Sequence, residues 1–169
     1  MDRFPGGQEQ ALALLYAASV PENGKGLDMG AGDGKTVEIM RKRGMEAVGI
    51  DLNPGSDIVE KGDFLNLPYA DGSFDAVVSQ SAFYESGNVE KALSEAARVL
   101  KKGGKLLLSD VCFNSWKPMA EKAGLEIIST EDVTKLWQSF YIERLWRGED
   151  VPDTFGEDCR YLVVICEKL

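Results

Sequence analysis

This chain of 169 residues contains no histidine. Without an imidazole there is no histidine general base, no Ser-His-Asp triad and no histidine-ligated metal. Cysteine is scarce as well. The chain has only Cys112, Cys159 and Cys166, which are an odd number and form no C-x-x-C pair. That pattern argues against a disulfide framework and against a zinc site. We therefore expect no metal in this protein.

Long apolar runs and an excess of positive charge are also missing. No apolar run reaches the length of a membrane span, and residues 1–5 lack the pattern of a signal peptide, so the expected location is the cytoplasm. The net charge of −9 disfavours nucleic acid and an anionic membrane as partners, since both need a basic surface. The same acidic surface is easier to reconcile with a small molecule as partner. The length fits one domain, residues 1–169, and no oligomeric state is predicted.

What the chain does have is a glycine-rich turn after an apolar segment, Leu27-Asp28-Met29-Gly30-Ala31-Gly32-Asp33-Gly34. Glycine lets the backbone come close to a bound nucleotide because it has no Cβ and tolerates positive φ. The spacing is G-x-G-x-G, and the third glycine of a dinucleotide-binding G-x-G-x-x-G motif would fall at Lys35. The carboxylates of Asp28 and Asp33 would repel a pyrophosphate. The turn therefore predicts a pocket for a cationic nucleoside such as S-adenosylmethionine, which carries an ammonium and a sulfonium.

Strand and helix patterns alternate along the chain, which predicts a three-layer α/β sandwich with a mostly parallel sheet. The predicted helices cover residues 8–19, 36–43, 89–100, 116–123 and 133–147. The predicted strands cover residues 26–29, 47–51, 58–61, 76–79, 105–110, 126–129 and 161–167. The segment from Asp51 to Ile58 is too short for a usual parallel crossover with its helix. We therefore predict fewer than two helical turns there, and a third strand that is a stub at the sheet edge.

Two acidic positions at predicted strand ends suit a nucleoside. Asp51 ends the second strand, where a carboxylate can accept two hydrogen bonds from a ribose diol; the alternative is a helix cap or a loop charge. Asp63 follows the third strand and could accept from the exocyclic amine of adenine, with Phe64 against the ring. The alternative there is that Asp63 caps a turn and Phe64 belongs to the core.

Five ordered motifs now define a resemblance, which is strong over residues 27–110. They are the glycine turn, Gly49-Ile50-Asp51-Leu52-Asn53-Pro54, Gly62-Asp63-Phe64, Phe74-Asp75-Ala76-Val77-Val78-Ser79 and Ala97-Arg98-Val99-Leu100-Lys101-Lys102-Gly103-Gly104-Lys105-Leu106. In this order they resemble the class I S-adenosylmethionine-dependent methyltransferases. The chain is most similar to the type 11 group, which includes the ubiquinone/menaquinone-biosynthesis and arsenite methyltransferases.

The resemblance implies a Rossmann-like sandwich with an antiparallel C-terminal strand, and a cofactor, S-adenosylmethionine, that leaves as S-adenosylhomocysteine. It implies that Asp51 holds the ribose, while Ser79 and Gln80 line the cofactor from the end of the fourth strand. The residues implied to hold the methionine part are Asp28, Gly30, Ala31, Gly32, Asp33 and Gly34. The residues implied to hold the adenine are Leu52, Asp63 and Phe64.

The acceptor is expected to be a small molecule. The segment Ser79-Gln80-Ser81-Ala82-Phe83-Tyr84 lacks the Asn/Asp-Pro-Pro-aromatic motif typical of amine methylation on nucleic-acid bases. Tyr84 and Asp110, after the fourth and fifth strands, are the candidate catalytic residues, since ligands bind at the carboxyl ends of parallel strands. Cys112 is a further candidate, although a buried small hydrophobe is the favoured interpretation.

The predicted activity is methyl transfer by in-line displacement at the sulfonium. The alternative is a protein or partner subunit that binds S-adenosylmethionine or S-adenosylhomocysteine without catalysing a reaction.

Two further features of the sequence each have two possible interpretations. The aromatic residues of the segment 133–147 belong either to the core or, less in favour, to an acceptor cover. Residues 3–7 are either a lid over the cofactor or a frayed tail.

Overall fold

A seven-stranded sheet organises residues 7–169, which the computed structural model describes, with the backbone alone at Gln8. The strands are β1 (Lys25–Met29), β2 (Glu46–Asp51), β3 (Val59–Lys61), β4 (Phe74–Gln80), β5 (Leu100–Cys112), β6 (Leu125–Asp132) and β7 (Arg160–Lys168). Their order across the sheet is β3-β2-β1-β4-β5-β7-β6. β7 is antiparallel to both of its neighbours, and the pairs from β3 through β5 are parallel. The predicted mostly parallel sheet with an antiparallel C-terminal strand is confirmed.

Helices cover both faces of this sheet. They are α1 (Gly7–Ala17), α2 (Lys35–Lys42), α3 (Val89–Val99), α4 (Trp116–Lys122) and α5 (Thr134–Trp146). Leu15 of α1 and Val37 of α2 pack in one apolar cluster, while Leu93 of α3 and Ala120 of α4 pack in the cluster on the other face. α5 packs on Tyr161, which points to the α1 and α2 side of the sheet. Among the described residues, no helix has the length and apolarity needed to cross a bilayer.

The connection between β2 and β3 is short, as predicted. In the described structure residues 52–58 form only turns and bends, and β3 has three residues at the sheet edge. The Gly55 N–H donates to the carbonyl of Gly32 at 2.8 Å, and the Ser56 hydroxyl donates to the carbonyl of Asp33 at 2.8 Å. The connection therefore packs against the glycine turn where a crossover helix usually lies.

β5 differs from the sequence prediction at both ends. It begins at Leu100 rather than Lys105, because Leu100 already pairs with Phe74 before a bulge, and regular pairing resumes at Lys105. It continues to Cys112, which pairs with Arg160 of β7. Residues 101–104 lie between the predicted helix 89–100 and the predicted strand 105–110, and the structure makes that segment the bulge of a strand.

Replacing Gly49 by alanine is expected to lower the free energy of unfolding by about 1–3 kcal/mol, as overpacking does elsewhere. A Cβ at this position of β2 would lie 2.6 Å from the Cβ of Ala31 and 2.7 Å from Cγ2 of Val37. Urea denaturation measures the change. Glu46→Ala, at the exposed start of the same strand, is the control and should stay within about 0.5 kcal/mol. An unchanged Gly49→Ala protein would show that the glycine turn moves away from β2 without loss.

Candidate functional site

The glycine turn at the end of β1 is held by the backbone of β2. The N–H groups of Gly30 and Ala31 both donate to the carbonyl of Ile50, at 2.9 and 3.1 Å. Gly30 has φ of +83°, and a Cβ there would lie only 2.4 Å from the Cβ of Ala82. Glycine is therefore required at this position for two reasons, since an L side chain is strained at this φ and the loop after β4 leaves no space.

Asp51, the last residue of β2, fixes the same turn through its side chain. Its Oδ2 accepts from the Gly32 N–H at 2.9 Å, and its Oδ1 accepts from the Asn53 N–H at 2.8 Å. Each carboxylate oxygen keeps a second lone pair, and the side chain is half-buried at the edge of a cavity. A ligand diol could therefore be bound without breaking the bonds that hold the turn.

Asp28, within β1, carries a carboxylate in an unfavourable environment. Its side chain is 4% exposed and lines the cavity, and it accepts no hydrogen bond from the part of the chain that the structure describes. Burial, and then the negative charges of Asp51 and Asp33, raise the pKa of Asp28 to about 7. A buried carboxylate without a partner is stabilised by a cation, and this one faces a space that can admit one.

Asp63 and Phe64 form the opposite wall of the cavity. The Oδ1 of Asp63 accepts from the Leu65 N–H at 2.8 Å and so caps a short 3₁₀ helix, Phe64–Asn66. Phe64 is buried, with its ring centroid 5.7 Å from that of Phe83. The capping and core roles considered from the sequence are both present, and both residues also line the cavity. Leu52 lines it from the other loop and is 58% exposed.

The two residues at the end of β4 have different surroundings. Ser79 is fully buried and donates to the carbonyl of Met29 at 2.8 Å, so its hydroxyl ties β4 to β1 away from the cavity lining. Gln80 does line the cavity. Its Oε1 accepts from the Thr36 hydroxyl at 3.1 Å, and its Nε2 donates to Oε1 of Gln10 at 3.3 Å. Gln80 therefore connects β4 to both α2 and α1 beside the glycine turn.

These residues surround a cavity of about 750 Å³ at the carboxyl ends of β1, β2 and β4, a volume typical of small-molecule sites. The lining carboxylates are Asp28, Asp33, Asp51, Asp63, Glu85 and Asp150. Among the described residues, the lining cations are Lys35 and Arg144, which form ion pairs with Asp33 at 3.2 Å and with Glu149 at 3.1 Å. The cavity is therefore electronegative, which favours a cationic ligand. Gly34 does not line it and precedes α2, with φ of +84°.

Sequence reasoning missed part of this lining. Ser81, Glu85 and Ser86 reach it from the loop after β4, and residues 144–152 contribute Arg144 and a Val151-Pro152 pair. Ser81 has a left-handed φ of +54°, and its hydroxyl lies 2.6 Å from the Tyr161 hydroxyl. A positive φ at a residue other than glycine is uncommon, and no pattern in the sequence signalled it.

The two candidate catalytic residues do not line the cavity. Asp110 is 2% exposed; its oxygens accept from the N–H groups of Tyr84 at 3.1 Å and Val111 at 2.7 Å. Burial raises the pKa of Asp110 to about 6, although these backbone hydrogen bonds act to lower it. The Tyr84 ring packs against Phe113, with centroids 5.2 Å apart. Asp110 thus holds the loop after β4 in place, and the structure brings neither side chain to the ligand space.

For the aromatic residues of α5 the two interpretations were a place in the core and a place over the acceptor. Trp137 is buried, and its ring stacks on that of Tyr161 with the ring centroids 5.8 Å apart, so it belongs to the core. Tyr141 is buried in the same cluster and also lines the cavity, whereas Trp146 is 85% exposed. Cys112, the further acceptor candidate, is buried in the core, as the favoured interpretation had it. The lid considered for residues 3–7 lies, apart from Gly7, outside the described residues.

A second cavity, of about 740 Å³, lies between α4 and the last two strands. Its lining includes Trp116, Ile127, Arg160 and Leu162, and none of the glycine turn. Within residues 7–169, it shares no residue with the first cavity, and its lining includes no buried carboxylate. The candidate site is therefore the cavity at the glycine turn.

Residues 27–108 match the family model described as a methyltransferase domain. The demethylmenaquinone methyltransferase of Paenarthrobacter aurescens (strain TC1) is 30% identical over 145 residues, which cover 80% of this chain and 50% of that protein. The chain spans about half the length of the curated relatives it matches.

Solved structures with the same fold include the [4+2]-cyclase SpnF, which has a TM-score of 0.76 and 20% identity and covers 96% of this chain and 81% of its own. Another is the Haemonchus contortus phosphoethanolamine N-methyltransferase 2 in complex with S-adenosyl-L-methionine. It has a TM-score of 0.77 and 19% identity, covering 98% of this chain and 53% of its own. This domain match, the sheet order and the glycine turn together support a class I S-adenosylmethionine-dependent methyltransferase of the type 11 group.

Proposed function

We propose that this chain binds S-adenosylmethionine in the cavity at the glycine turn and transfers its methyl group to a small-molecule acceptor. The observation that carries the proposal is the buried Asp28 carboxylate, which has no hydrogen-bond partner among the described residues and lines an electronegative cavity. The ammonium and sulfonium of the cofactor supply a cationic partner for this carboxylate. A pyrophosphate would add negative charge at the same place.

The proposed roles follow the walls of the cavity. Asp28 and the glycine turn, residues 30–34, face the methionine part, and Asp51 accepts from the ribose diol with its remaining lone pairs. Asp63, Phe64 and Leu52 surround the adenine. Gln80 closes the side next to α1, while Ser79 supports β1 from behind.

The proposed reaction needs little from the protein beyond alignment. A lone pair of the acceptor forms a bond to the methyl carbon while the carbon–sulfur bond breaks, and S-adenosylhomocysteine leaves. Orientation of the two reactants can supply about 7–11 kcal/mol of the barrier. Asp110 and Tyr84 lie off the cavity, and the chain has no histidine, so a base-dependent alkyl hydroxyl fits poorly. A thiolate, a metalloid or a stabilised carbanion, which reacts without a base, fits better.

The alternative is a protein that binds the cofactor without transferring its methyl group. The fold of the cyclase SpnF is shared by this chain, and its name describes chemistry other than methylation. Turnover separates the two functions. Purified protein is incubated with S-adenosylmethionine and a panel that includes a thiol, arsenite and demethylmenaquinone, the last taken from the name of the Paenarthrobacter relative and kept reduced as its quinol by an added reductant, because only the quinol ring is nucleophilic. Formation of S-adenosylhomocysteine supports the enzyme, and binding without turnover across the panel supports the alternative.

Binding itself is tested by thermal shift. S-adenosylhomocysteine is expected to raise the Tm, because a ligand at one hundred times its Kd stabilises the folded state by about 2.7 kcal/mol. NAD at the same concentration should leave the Tm unchanged, since its pyrophosphate meets the carboxylates of Asp28 and Asp33. Equal shifts with both ligands, or none with S-adenosylhomocysteine, would remove the basis of the proposed function.

Asp28→Asn should change binding and stability in opposite directions. Loss of a charge-assisted contact is expected to weaken S-adenosylhomocysteine binding about 10–100-fold in calorimetry. The raised pKa of Asp28 means that its ionised form destabilises the empty protein as the pH rises from about 4 through 7, so at pH 8 the neutral amide should raise the Tm. Asp158→Asn, an exposed position outside the cavity, should change neither quantity. Unaltered affinity in Asp28→Asn would contradict the assigned role.

The affinity for S-adenosylhomocysteine should also depend on pH. Because the pKa of Asp28 is raised to about 7, lowering the pH from 8 to 6 protonates the carboxylate that faces the ligand ammonium. The Kd is expected to rise about tenfold over this range in the wild type. In Asp28→Asn the same titration should be flat. A wild-type Kd that is constant from pH 8 to pH 6 would place the ammonium elsewhere.

A further inference from the structure

Glu95 and Arg98 form a charged cluster on α3, a helix that contributes no residue to the cavity lining. Arg98 donates to both oxygens of Glu95, from Nη2 at 2.8 Å and from Nε at 3.2 Å, and Lys91 Nζ adds a bond at 2.9 Å. Hydrogen bonding by Arg98 is the main cause that lowers the pKa of Glu95 to about 2, so the buried carboxylate stays ionised.

Among the described residues, the remaining side-chain bonds of this pair all go to one irregular segment of the chain. The Leu67 N–H donates to Oε2 of Glu95 at 3.0 Å, and Arg98 Nη2 donates to the Leu67 carbonyl at 3.1 Å. Arg98 Nη1 donates to the Tyr69 carbonyl and to Oδ1 of Asp71, each at 2.8 Å. Residues 67–71 contain no helix or strand, so these side chains supply anchoring that a backbone ladder supplies elsewhere.

That segment continues directly from the wall of the cavity. We call residues 63–66 the adenine-side wall, since Asp63, Phe64 and Leu65 line the cavity there. The wall is a single 3₁₀ turn, closed by the Asn66 N–H donating to the Asp63 carbonyl at 3.0 Å. Leu67 follows this turn directly, and the turn is tied to Asp63 by two hydrogen bonds, so bonds that fix Leu67 constrain the wall at its end next to the cluster.

We propose that Glu95 and Arg98 are positioning residues for nucleobase recognition, and this rests on the proposed function. They hold the adenine-side wall at the distance where Asp63 accepts a hydrogen bond from the exocyclic amine of adenine. The contact is made by Asp63, and its geometry is set from α3. A cluster that only stabilised the fold would affect every ligand of the cavity alike, whereas a positioning cluster affects discrimination between nucleobases.

The experiment compares two ligands by calorimetry, S-adenosylhomocysteine and S-inosylhomocysteine, in which an oxygen replaces the exocyclic amine. The wild type should prefer S-adenosylhomocysteine. Glu95→Gln, which keeps the shape of the side chain, and Arg98→Lys, which keeps its charge, should each bind S-adenosylhomocysteine about tenfold more weakly, as small misplacements do. Both variants should bind the inosyl analogue with nearly wild-type affinity, so the preference collapses. Lys91→Ala, which removes a partner of Glu95 that does not reach residues 63–71, should keep the preference.

The remaining outcomes overturn the inference in distinguishable ways. If folded variants keep the wild-type affinity and preference, or lose affinity for both ligands equally, Glu95 and Arg98 do not position the wall. If the wild type binds both ligands equally, Asp63 does not recognise the amine, and the inference fails while cofactor binding stands. If the wild type binds neither ligand, the proposed function fails together with it. Folding of each variant is checked by its Tm.

Discussion

The attachment of the glycine turn to the end of β2 is the constraint on which this site depends. The Ile50 carbonyl accepts from two consecutive N–H groups of the turn, and the Asp51 carboxylate accepts from the Gly32 N–H. These bonds fix the turn close to β2 and hold Asp28 and Asp51 near one another in spite of their like charges. Burial first, and this repulsion second, raise the pKa of Asp28, so the carboxylate is already placed to pair with a cation in the empty protein.

The short connection after β2 contributes to the same attachment of the glycine turn. A crossover helix would normally cover this edge, but here Gly55 and Ser56 bond back to the glycine turn and Ile58 packs against Gly34. A Cβ on Gly34 would lie 2.7 Å from the Ile58 side chain, so the two segments fit at close contact. The connection therefore stiffens the glycine turn, which a helix further from the turn would not do.

The sequence predicted features that depend on local chemistry and failed on those that depend on distant partners. The glycine spacing and strand-end acids, Asp28 and Asp51, have signatures within a few residues, so the turn, the sheet class and the stub-like β3 could be foreseen. Ser79 and Gln80 are adjacent and looked equivalent, yet their opposite directions on β4 place only Gln80 on the cavity. The role of Arg98 could not be read from its motif, because its partners lie about thirty residues earlier.

Asp110 shows why position in a fold does not by itself assign catalysis. It lies at the end of a parallel strand, where ligands usually bind, and its pKa of about 6 would suit a general base. Its lone pairs instead receive backbone N–H groups from the loop after β4, so a proton taken up there would weaken the loop that carries Ser81 and Glu85 to the cavity. A base built this way would disturb its own site with every turnover. Alignment of an acceptor that is already nucleophilic avoids that conflict, which is the chemical reason to test thiols, arsenite and stabilised carbanions before alcohols.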